Sequence, residues 1–570
     1  MDYFNELVTA LKKKRLNKKQ INNLKIKLCS KHNIKKIPTD IEILLRAKKK
    51  DVPEIRKYLL AKPTRTISGV AVVAVMTKPT PCPHAKSIGP CSMCPGGPDS
   101  VFGSVPQSYT GKEPATRRAI RNNYDPYLQV FNRLEQYVVA GHVPDKVELI
   151  IMGGTFPSFS KRYKENFIKY SIKAMNDFSS LFFKKELDLT KFKEFFELPG
   201  DINNKERIKR IQKKLLSIKN KGDQSLKNIQ KQNETASIRD VALCIETRPD
   251  YAKLKHAKEM LRLGCTRVEL GVQTIYDNVL KKIQRGHTVK DSIKATLILK
   301  NLGFKVSYHM MPGLPGVDKK HDLFSLALIV RDQNFMPDML KIYPCMVLKG
   351  TKLHGIYKKG RYKPLTTKKA ADLIVEFKKI APEYLRISRV QRDIPTFITE
   401  SGVDMTNLRQ YIQKLLKKKR IKCRCIRCRE AGHVLNRKPN IKIRKIEIHT
   451  THYEASNGSE FFISAEDTKN DILFGYCKLR FPQKSFTKEI TGDSALIREL
   501  HVFSPAVAIG KRSRTSFQHK GIGKGLLKEA ERITKSYFRK KVVVISGIGA
   551  REYYKKLGYK KQGPYMVKKL

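Results

Sequence analysis

From residue 69 onward the chain alternates short apolar runs with longer amphipathic stretches. The runs are "GVAVVAVM" at 69, "VELIIMG" at 147, "VALCIET" at 241, "TRVELGV" at 266, "KVSYHMM" at 305 and "MLKIYP" at 339. Strand-like runs separated by helix-length segments predict parallel βα units with crossover helices, that is, an α/β fold built on a partial (β/α)6 barrel. Each run ends in polar or glycine-rich residues: a cysteine loop, "GGT" at 153, "ETRPD" at 246, "QT" at 273, "PGLPG" at 312 and "YPC" at 343. Chemistry in such folds collects at the carboxyl ends of the strands, so these ends predict the mouth of an active site.

The flanks read differently. Residues 1 to 60 carry 17 Lys/Arg against six acids, with apolar residues at helical spacing in "INNLKIKLCS" and "IEILLRAKKK". They predict a small basic helical region. Residues 61 to 400 hold the barrel, interrupted at 201 to 231 by a segment with ten Lys/Arg and three acids that reads as a solvated helical insertion. After a basic linker at 401 to 439, strands such as "EFFISAED" and "ILFGYCKLRFP" and the helix "KGLLKEAERITKSYF" predict a separate α+β domain over 440 to 570.

Composition changes the picture chiefly through charge. Lys plus Arg number 116 against 52 acids, a net charge of +64 with a sequence pI near 10.0. Such an excess points to a polyanionic partner, nucleic acid first, because lysines on phosphates release counterions. No apolar run approaches the ~20 residues of a membrane-spanning helix. The opening "MDYFNELVTA" lacks the basic-then-apolar pattern of a secretory signal, so a cytoplasmic protein without membrane contact is expected.

Six of the 11 cysteines fall into two triplets. Cys82, Cys91 and Cys94 follow the first predicted strand. Three thiolates suit a four-iron cluster with one iron left open, or a zinc site closed by a fourth ligand such as His84. Cys423, Cys425 and Cys428 lie in a stretch, 414 to 429, with nine Lys/Arg and no acid, which suits structural zinc. Cys345, at the end of the sixth strand, is the first choice for its fourth ligand, and His433 is the local rival. Cys29, Cys244, Cys265 and Cys477 read as small buried hydrophobes. In the last domain "QHKGIG", Gln518 to Gly523, opens a helix whose backbone N–H groups can cradle a pyrophosphate.

Taken together, these motifs resemble the radical S-adenosylmethionine superfamily, and within it the family of the Elongator catalytic subunit. The cysteine loop, with its long first spacing, is joined by "PDKVELIIMGGTFPS" at 144, "IETRPDY" at 245, "RVELGVQT" at 267, "RGHT" at 285, "HMMPGLPG" at 309 and "KIYP" at 341. The tail, with "RELHVF", "FQHKGIGKGLL" and "ISGIGAREYYKKLGY", resembles the GNAT acetyltransferase fold. The resemblance implies a 4Fe-4S cluster on Cys82, Cys91 and Cys94. It implies S-adenosylmethionine at Gly153, Gly154 and Thr155, with Glu246, Arg248 and Gln273 as further contacts. Many relatives carry an acid where Thr155 stands, which throws that contact onto backbone carbonyls. On the GNAT side it implies acetyl-CoA along Glu499, Leu500, His501 and Val502 and at Gln518, Gly521, Ile522, Gly523 and Lys524. Tyr553, with Tyr554 as its neighbour, would face the thioester, and Lys146 would meet acetyl-CoA from the barrel.

The activity so implied is tRNA wobble-uridine modification. A radical drawn from S-adenosylmethionine takes hydrogen from the acetyl methyl, the carbon adds to C5 of the base, and hydrolysis of the thioester leaves a carboxymethyl group. The partner would be the anticodon region of tRNA, with a homodimer and accessory subunits left open. Two other readings stand beside it: a protein lysine acetyltransferase whose cluster is only structural, and a non-enzymatic tRNA-binding scaffold.

Overall fold

The structure is a computed structural model that describes residues 2–13, 16–48, 50–201, 203–503 and 521–570. The first part of the chain forms β1 (Ala71–Met76), β2 (Lys146–Met152), β3 (Arg239–Thr247), β4 (Cys265–Gln273), β5 (Lys305–Met310), β6 (Met339–Ile342), β7 (Val347–Leu348), β8 (Arg386–Arg389) and β9 (Thr399–Ser401). β1 to β6 pair in chain order, every pair parallel, and β8 adds a seventh strand beyond β6. β7 and β9 form a separate short ribbon. The expected open parallel barrel is present, extended by one strand that "RISR" did not announce.

Side-chain alternation explains how this sheet encloses a cavity. On β2, Val147, Leu149 and Ile151 are fully buried in the main core, while Lys146, Glu148, Ile150 and Met152 line the barrel interior. β4 likewise sends Val268, Leu270 and Val272 outward into the core and Arg267, Glu269, Gly271 and Gln273 inward. Period-2 alternation thus gives one apolar face against the helices and one polar face around a lumen. Closed barrels normally fill that lumen with Val, Ile and Leu.

The predicted insertion is helical, Lys205–Lys219 and Leu226–Asn233, and buries Ile211 and Leu215 in the main core. The N-terminal helices Tyr3–Lys13, Lys18–Lys31, Asp40–Arg46 and Val52–Leu59 close around an apolar cluster of their own. The last part of the chain forms β10 (Glu447–Glu454), β11 (Gly458–Asp467), β12 (Ile472–Pro482), β13 (Ser494–Val502), β14 (Lys541–Val544), β15 (Lys560–Gln562) and β16 (Tyr565–Lys569). Their sheet order is β10-β11-β12-β13-β14-β16-β15, antiparallel except at β13/β14. Among the described residues no helix is long and apolar enough to cross a membrane.

This second sheet docks on the amino ends of the barrel strands. Gly547 and Gly549 lie against the backbone of Val241 and Arg239, so closely that a methyl group at either would collide with β3. Beside them runs an ionic cluster with essentially no solvent exposure. Arg498 donates to both Asp338 oxygens, at 2.8 and 2.7 Å, and to Glu460 at 2.7 Å. Lys478 reaches Asp338 at 3.0 Å, Arg480 reaches Glu460 at 2.9 Å, and Lys300 lies 3.4 Å from Glu460. These charges come from both parts of the chain, so the cluster fixes one against the other.

Candidate active site

A single cavity of about 1000 Å³ runs through the barrel. At the carboxyl ends of the strands it is lined by Cys82, Cys91 and Cys94, and at the amino ends by Lys146, Glu499 and Tyr553. Between them lie Glu246, Glu269, His309 and Lys341.

The cysteine loop is pinned from several sides. Ser92 N donates to Ile283 O at 3.0 Å and Leu353 N to Ser92 O at 2.8 Å. Cys94 Sγ accepts from Ser108 N at 3.2 Å and from Gln107 Nε2 at 3.3 Å, and Cys91 Sγ accepts from Arg285 Nη1 at 3.5 Å. Burial pushes the Cys82 thiol up to about 11, so its thiolate needs a bound cation. One zinc ion, with bonds of about 2.3 Å, would bring its sulfurs within about 4.6 Å of one another. Among the described residues the cysteines whose sulfurs all lie within 4.8 Å are Cys423, Cys425 and Cys428, and Cys82, Cys91 and Cys94 do not form such a group. The wider spread of the first triplet suits a multi-iron cluster and not a mononuclear zinc site closed by His84.

At the other end, β13 pairs with β12 as far as Val502 but with β14 only over Ser494–Ile497. The two parallel strands therefore part after Ile497 and leave a wedge along Glu499, Leu500, His501 and Val502. The helix Ile522–Ser536 begins beside it, with Gly521 at φ +84°, a left-handed start that favours glycine. A methyl group at Gly523 would lie 3.1 Å from Tyr553 Oη, so the bare helix start faces this phenol. Glu499 is paired with Lys305 and accepts from Tyr476 at 2.5 Å. Burial raises its carboxyl and Lys305 more than reverses this, holding it at about 2. His501 Nε2 lies 3.0 Å from Ser68 O. Tyr553 is 41% exposed, whereas Tyr554 packs into the second core cluster. Gln518 lies outside the described residues.

Comparison with known proteins resolves what this pairing of sites is. Residues 82–327 match the radical SAM superfamily, 337–418 the radical SAM C-terminal domain, 1–67 the ELP3 N-terminal domain and 514–569 the acetyltransferase (GNAT) domain. The chain is 47% identical over 561 residues to the tRNA uridine(34) acetyltransferase of Methanocaldococcus infernus, covering 98% of this chain and 96% of that protein. It is 38% identical over 557 residues to human Elongator complex protein 3, covering 96% of this chain and 93% of that one. The chain belongs to the Elongator complex protein 3 family. The solved structure of the M. infernus Elp3 lacking residues 1–46 superposes with a TM-score of 0.72 at 43% identity, covering 89% of this chain and 100% of that one.

The family resemblance assigned S-adenosylmethionine to the upper strand ends, and the geometry there is mixed. Gly153 and Gly154 take φ values of +105° and +69°, and Thr77 Oγ1 donates to Gly153 O at 2.8 Å, a tight glycine turn over the cavity. Thr155 Oγ1 lies 3.6 Å from Cys82 Sγ. Gln273 also has positive φ, +72°, and its Oε1 is buried without a partner. Glu246 is engaged by Tyr109 and Lys341, each at 3.1 Å. Arg248 is held bidentately by Asp250, at 2.9 Å twice, and contacts His84. Its guanidinium therefore braces the cysteine loop.

Lys146 lines the barrel side of the cavity end that Glu499 and Tyr553 also line. It opens β2 while "GGT" follows the strand's last residue, so the two stand roughly 20 Å apart at 3.3 Å per residue. It lines the lower end of the cavity, 3.0 Å from Asp145. Sequence reasoning passed over Glu269, His309, Lys341 and Arg285, although "RVELGVQT", "HMMPGLPG", "KIYP" and "RGHT" contain them. For Glu269, His309 and Lys341 the usable signal was a charged or polar residue at an inward position of a barrel strand, which burial permits only with a partner or a ligand; Arg285, in the loop after the helix Asp277–Lys282, carried no such signal.

The second triplet converges on Lys378, whose Nζ lies 3.3, 3.9 and 3.4 Å from the sulfurs of Cys423, Cys425 and Cys428. Cys345 is not with them: it packs beside Cys91, Leu353 and Tyr362 under the barrel mouth. His433 is outside the group as well, set beside Arg427 and Glu430, with burial pushing it down to about 4. Both fourth-ligand expectations thus fail on position, because the linker folds back onto the helix Thr367–Ile380 and not onto the end of β6. Cys29, Cys244, Cys265 and Cys477 are buried as expected.

Proposed function

We propose that this enzyme modifies the wobble uridine of tRNA by joining the methyl carbon of acetyl-CoA to C5: one methyl hydrogen and the C5 hydrogen are lost, S-adenosylmethionine serves as the oxidant and ends as methionine and 5'-deoxyadenosine, and water hydrolyses the thioester, releasing CoA and leaving a carboxymethyl group. The observation that carries this reading is the single cavity joining the cysteine loop to the acetyltransferase wedge. Two separate activities would need no such passage. The relatives' names, tRNA uridine(34) acetyltransferase and Elongator complex protein 3, support the same reaction.

Cys82, Cys91 and Cys94 hold the 4Fe-4S cluster, and Gly153, Gly154, Thr155 and Gln273 line the place of S-adenosylmethionine. Cluster and S-adenosylmethionine, when bound, supply the one-electron chemistry that activates the acetyl methyl. The glycine turn at Gly521 to Gly523 receives the CoA phosphates at a helix start. Tyr553, whose phenol burial pushes up to about 12, stays protonated and donates to the thioester carbonyl, with Lys146 as the second donor. The acetyl group then extends up the barrel past Glu148 and Arg267, and the upper mouth, flanked by Tyr109 and Arg392, admits the base. The +64 charge suits the tRNA backbone, in the cytoplasm where tRNA is found. Cys423, Cys425 and Cys428 hold a structural zinc, with Lys378 donating to their sulfurs.

A protein lysine acetyltransferase would need a base at the wedge. Glu499, held at about 2 by Lys305, accepts no proton at neutral pH, which disfavours that reading. A non-enzymatic scaffold leaves the cavity without purpose. The test is anaerobic incubation of cluster-loaded protein with tRNA, acetyl-CoA and S-adenosylmethionine, followed by nucleoside mass spectrometry. Carboxymethyluridine that requires all three supports the proposal; acetyl-CoA turnover with unmodified tRNA overturns it.

A further inference from the structure

The cysteine loop is bordered by a cation that no ion pair neutralises. Arg285, from "RGHT", places Nη1 3.5 Å from Cys91 Sγ and donates from Nη2 to Gly271 O at 3.0 Å. Its Nε is buried without a partner. Among the described residues no carboxylate lies within salt-bridge distance of this guanidinium. The nearby Asp250 is taken up by Arg248, at 2.9 Å. The other groups on the sulfurs, Thr155 Oγ1 on Cys82, Gln107 Nε2 and Ser108 N on Cys94 and His84 Nε2 on Cys91, bring no comparable fixed charge.

A second observation shows that the placement is built in. Gly271 lies inside β4 and does not have positive φ, so backbone conformation does not call for glycine there. Space does, since a methyl group on Gly271 would collide with Arg285 Nη2 and crowd Gln273 Nε2 at 2.9 Å. A glycine within a strand often marks such a close approach. With no side chain at Gly271, Arg285 Nη2 can approach the strand while Nη1 faces Cys91.

We propose that Arg285 sets the reduction potential of the cluster, acting through the Cys91 sulfur. One-electron reduction adds negative charge to a cluster already ligated by thiolates, and a fixed cation against one of them favours the reduced state. Charge and hydrogen bonds at cluster sulfurs are recognised levers on that potential. The inference rests on reading Cys82, Cys91 and Cys94 as the cluster ligands.

The test compares the parent with Arg285→Gln, which keeps donors but loses the charge, and Arg285→Lys, which keeps the charge. Each is reconstituted anaerobically, assayed for iron and sulfide, and titrated with dithionite as reductant under electron paramagnetic resonance, without S-adenosylmethionine. We expect equal iron loading in all three proteins. At a fixed potential the reduced-to-oxidised ratio in Arg285→Gln should fall at least tenfold, a midpoint about 59 mV more negative. Arg285→Lys should retain most of the parent value. Binding of S-adenosylmethionine is measured by equilibrium dialysis on the same samples. An unchanged midpoint in Arg285→Gln, with only that affinity reduced, would make Arg285 a substrate contact and overturn the proposal. If neither variant loads iron while melting as the parent does, Arg285 serves assembly and the proposal also fails. A parent that binds no iron would instead refute the ligand reading itself.

Discussion

Replacing Asp338 by asparagine should damage this enzyme more than removing Arg498, the cation that binds it. In the cluster between the two parts of the chain, Asp338 and Glu460 face Arg498, Arg480, Lys478 and Lys300. Arg498→Met removes one cation, but Lys478 remains on Asp338 and Arg480 on Glu460, so each carboxylate keeps a partner. Asp338→Asn leaves four buried cations with one carboxylate, and replaces one of the two oxygens that Arg498 and Lys478 share with an NH2 group that faces them as a donor. Removing one partner of a buried pair costs about 3 to 5 kcal/mol, so we assign about 3 kcal/mol to Arg498→Met and about 5 kcal/mol to Asp338→Asn. The chain has no tryptophan, so urea unfolding is followed by circular dichroism, reading the first transition because two-state behaviour is not expected of a chain of this size. Arg498 holds the Asp338 carboxyl well below its ordinary range despite burial. Stability from a depressed carboxyl is present above the unfolded value, about 3.9, and is lost as pH falls through the folded one. The gap between parent and Asp338→Asn should therefore narrow only below about pH 4. An Arg498→Met protein less stable than Asp338→Asn would refute the reasoning. So would a loss in Asp338→Asn within the ±0.5 kcal/mol of ordinary surface changes.

Cys91→Ala should abolish the iron–sulfur absorbance and the modification while tRNA binding in a filter assay survives; a full four-iron spectrum would remove Cys91 from the ligand set. Cys425→Ser should release zinc, seen by metal analysis, with iron content unchanged, and a parent protein without zinc would contradict the structural-zinc reading. Tyr553→Phe should slow release of free CoA, and Lys146→Ala should slow it further, each donor being worth a few kcal/mol, with tRNA affinity retained. Equal losses of turnover and RNA affinity would mean that these residues do not act on the thioester.

The strands were legible because most are hidden on both faces, which leaves β-branched runs such as "VELIIM" in plain view. β8 escaped notice because its inward Arg386 is stabilised by Glu430, 44 positions later, a partner that no local pattern reveals. The cysteine spacing and the glycine turns announced chemistry because backbone geometry restricts what can stand there. Lys378 did not, since a lysine on an amphipathic helix reads as a solvent contact until the fold brings three sulfurs to it. Lys146 could be read from its place at the start of "KVELIIM", because an extended strand carries its ends to opposite mouths of the barrel and so sets Lys146 at the end lined by Glu499 and Tyr553.

The central claim is that one acetyl-CoA serves both ends of the cavity, and acetyl-CoA deuterated on its methyl group tests it directly. Cluster-loaded enzyme is incubated anaerobically with tRNA and S-adenosylmethionine, and nucleosides and 5'-deoxyadenosine are analysed by mass spectrometry. The account predicts deuterium in the 5'-deoxyadenosine and two deuterium atoms retained in the carboxymethyl group of the wobble uridine. Unlabelled 5'-deoxyadenosine, or a modified uridine that keeps all three methyl deuterium atoms, would contradict it.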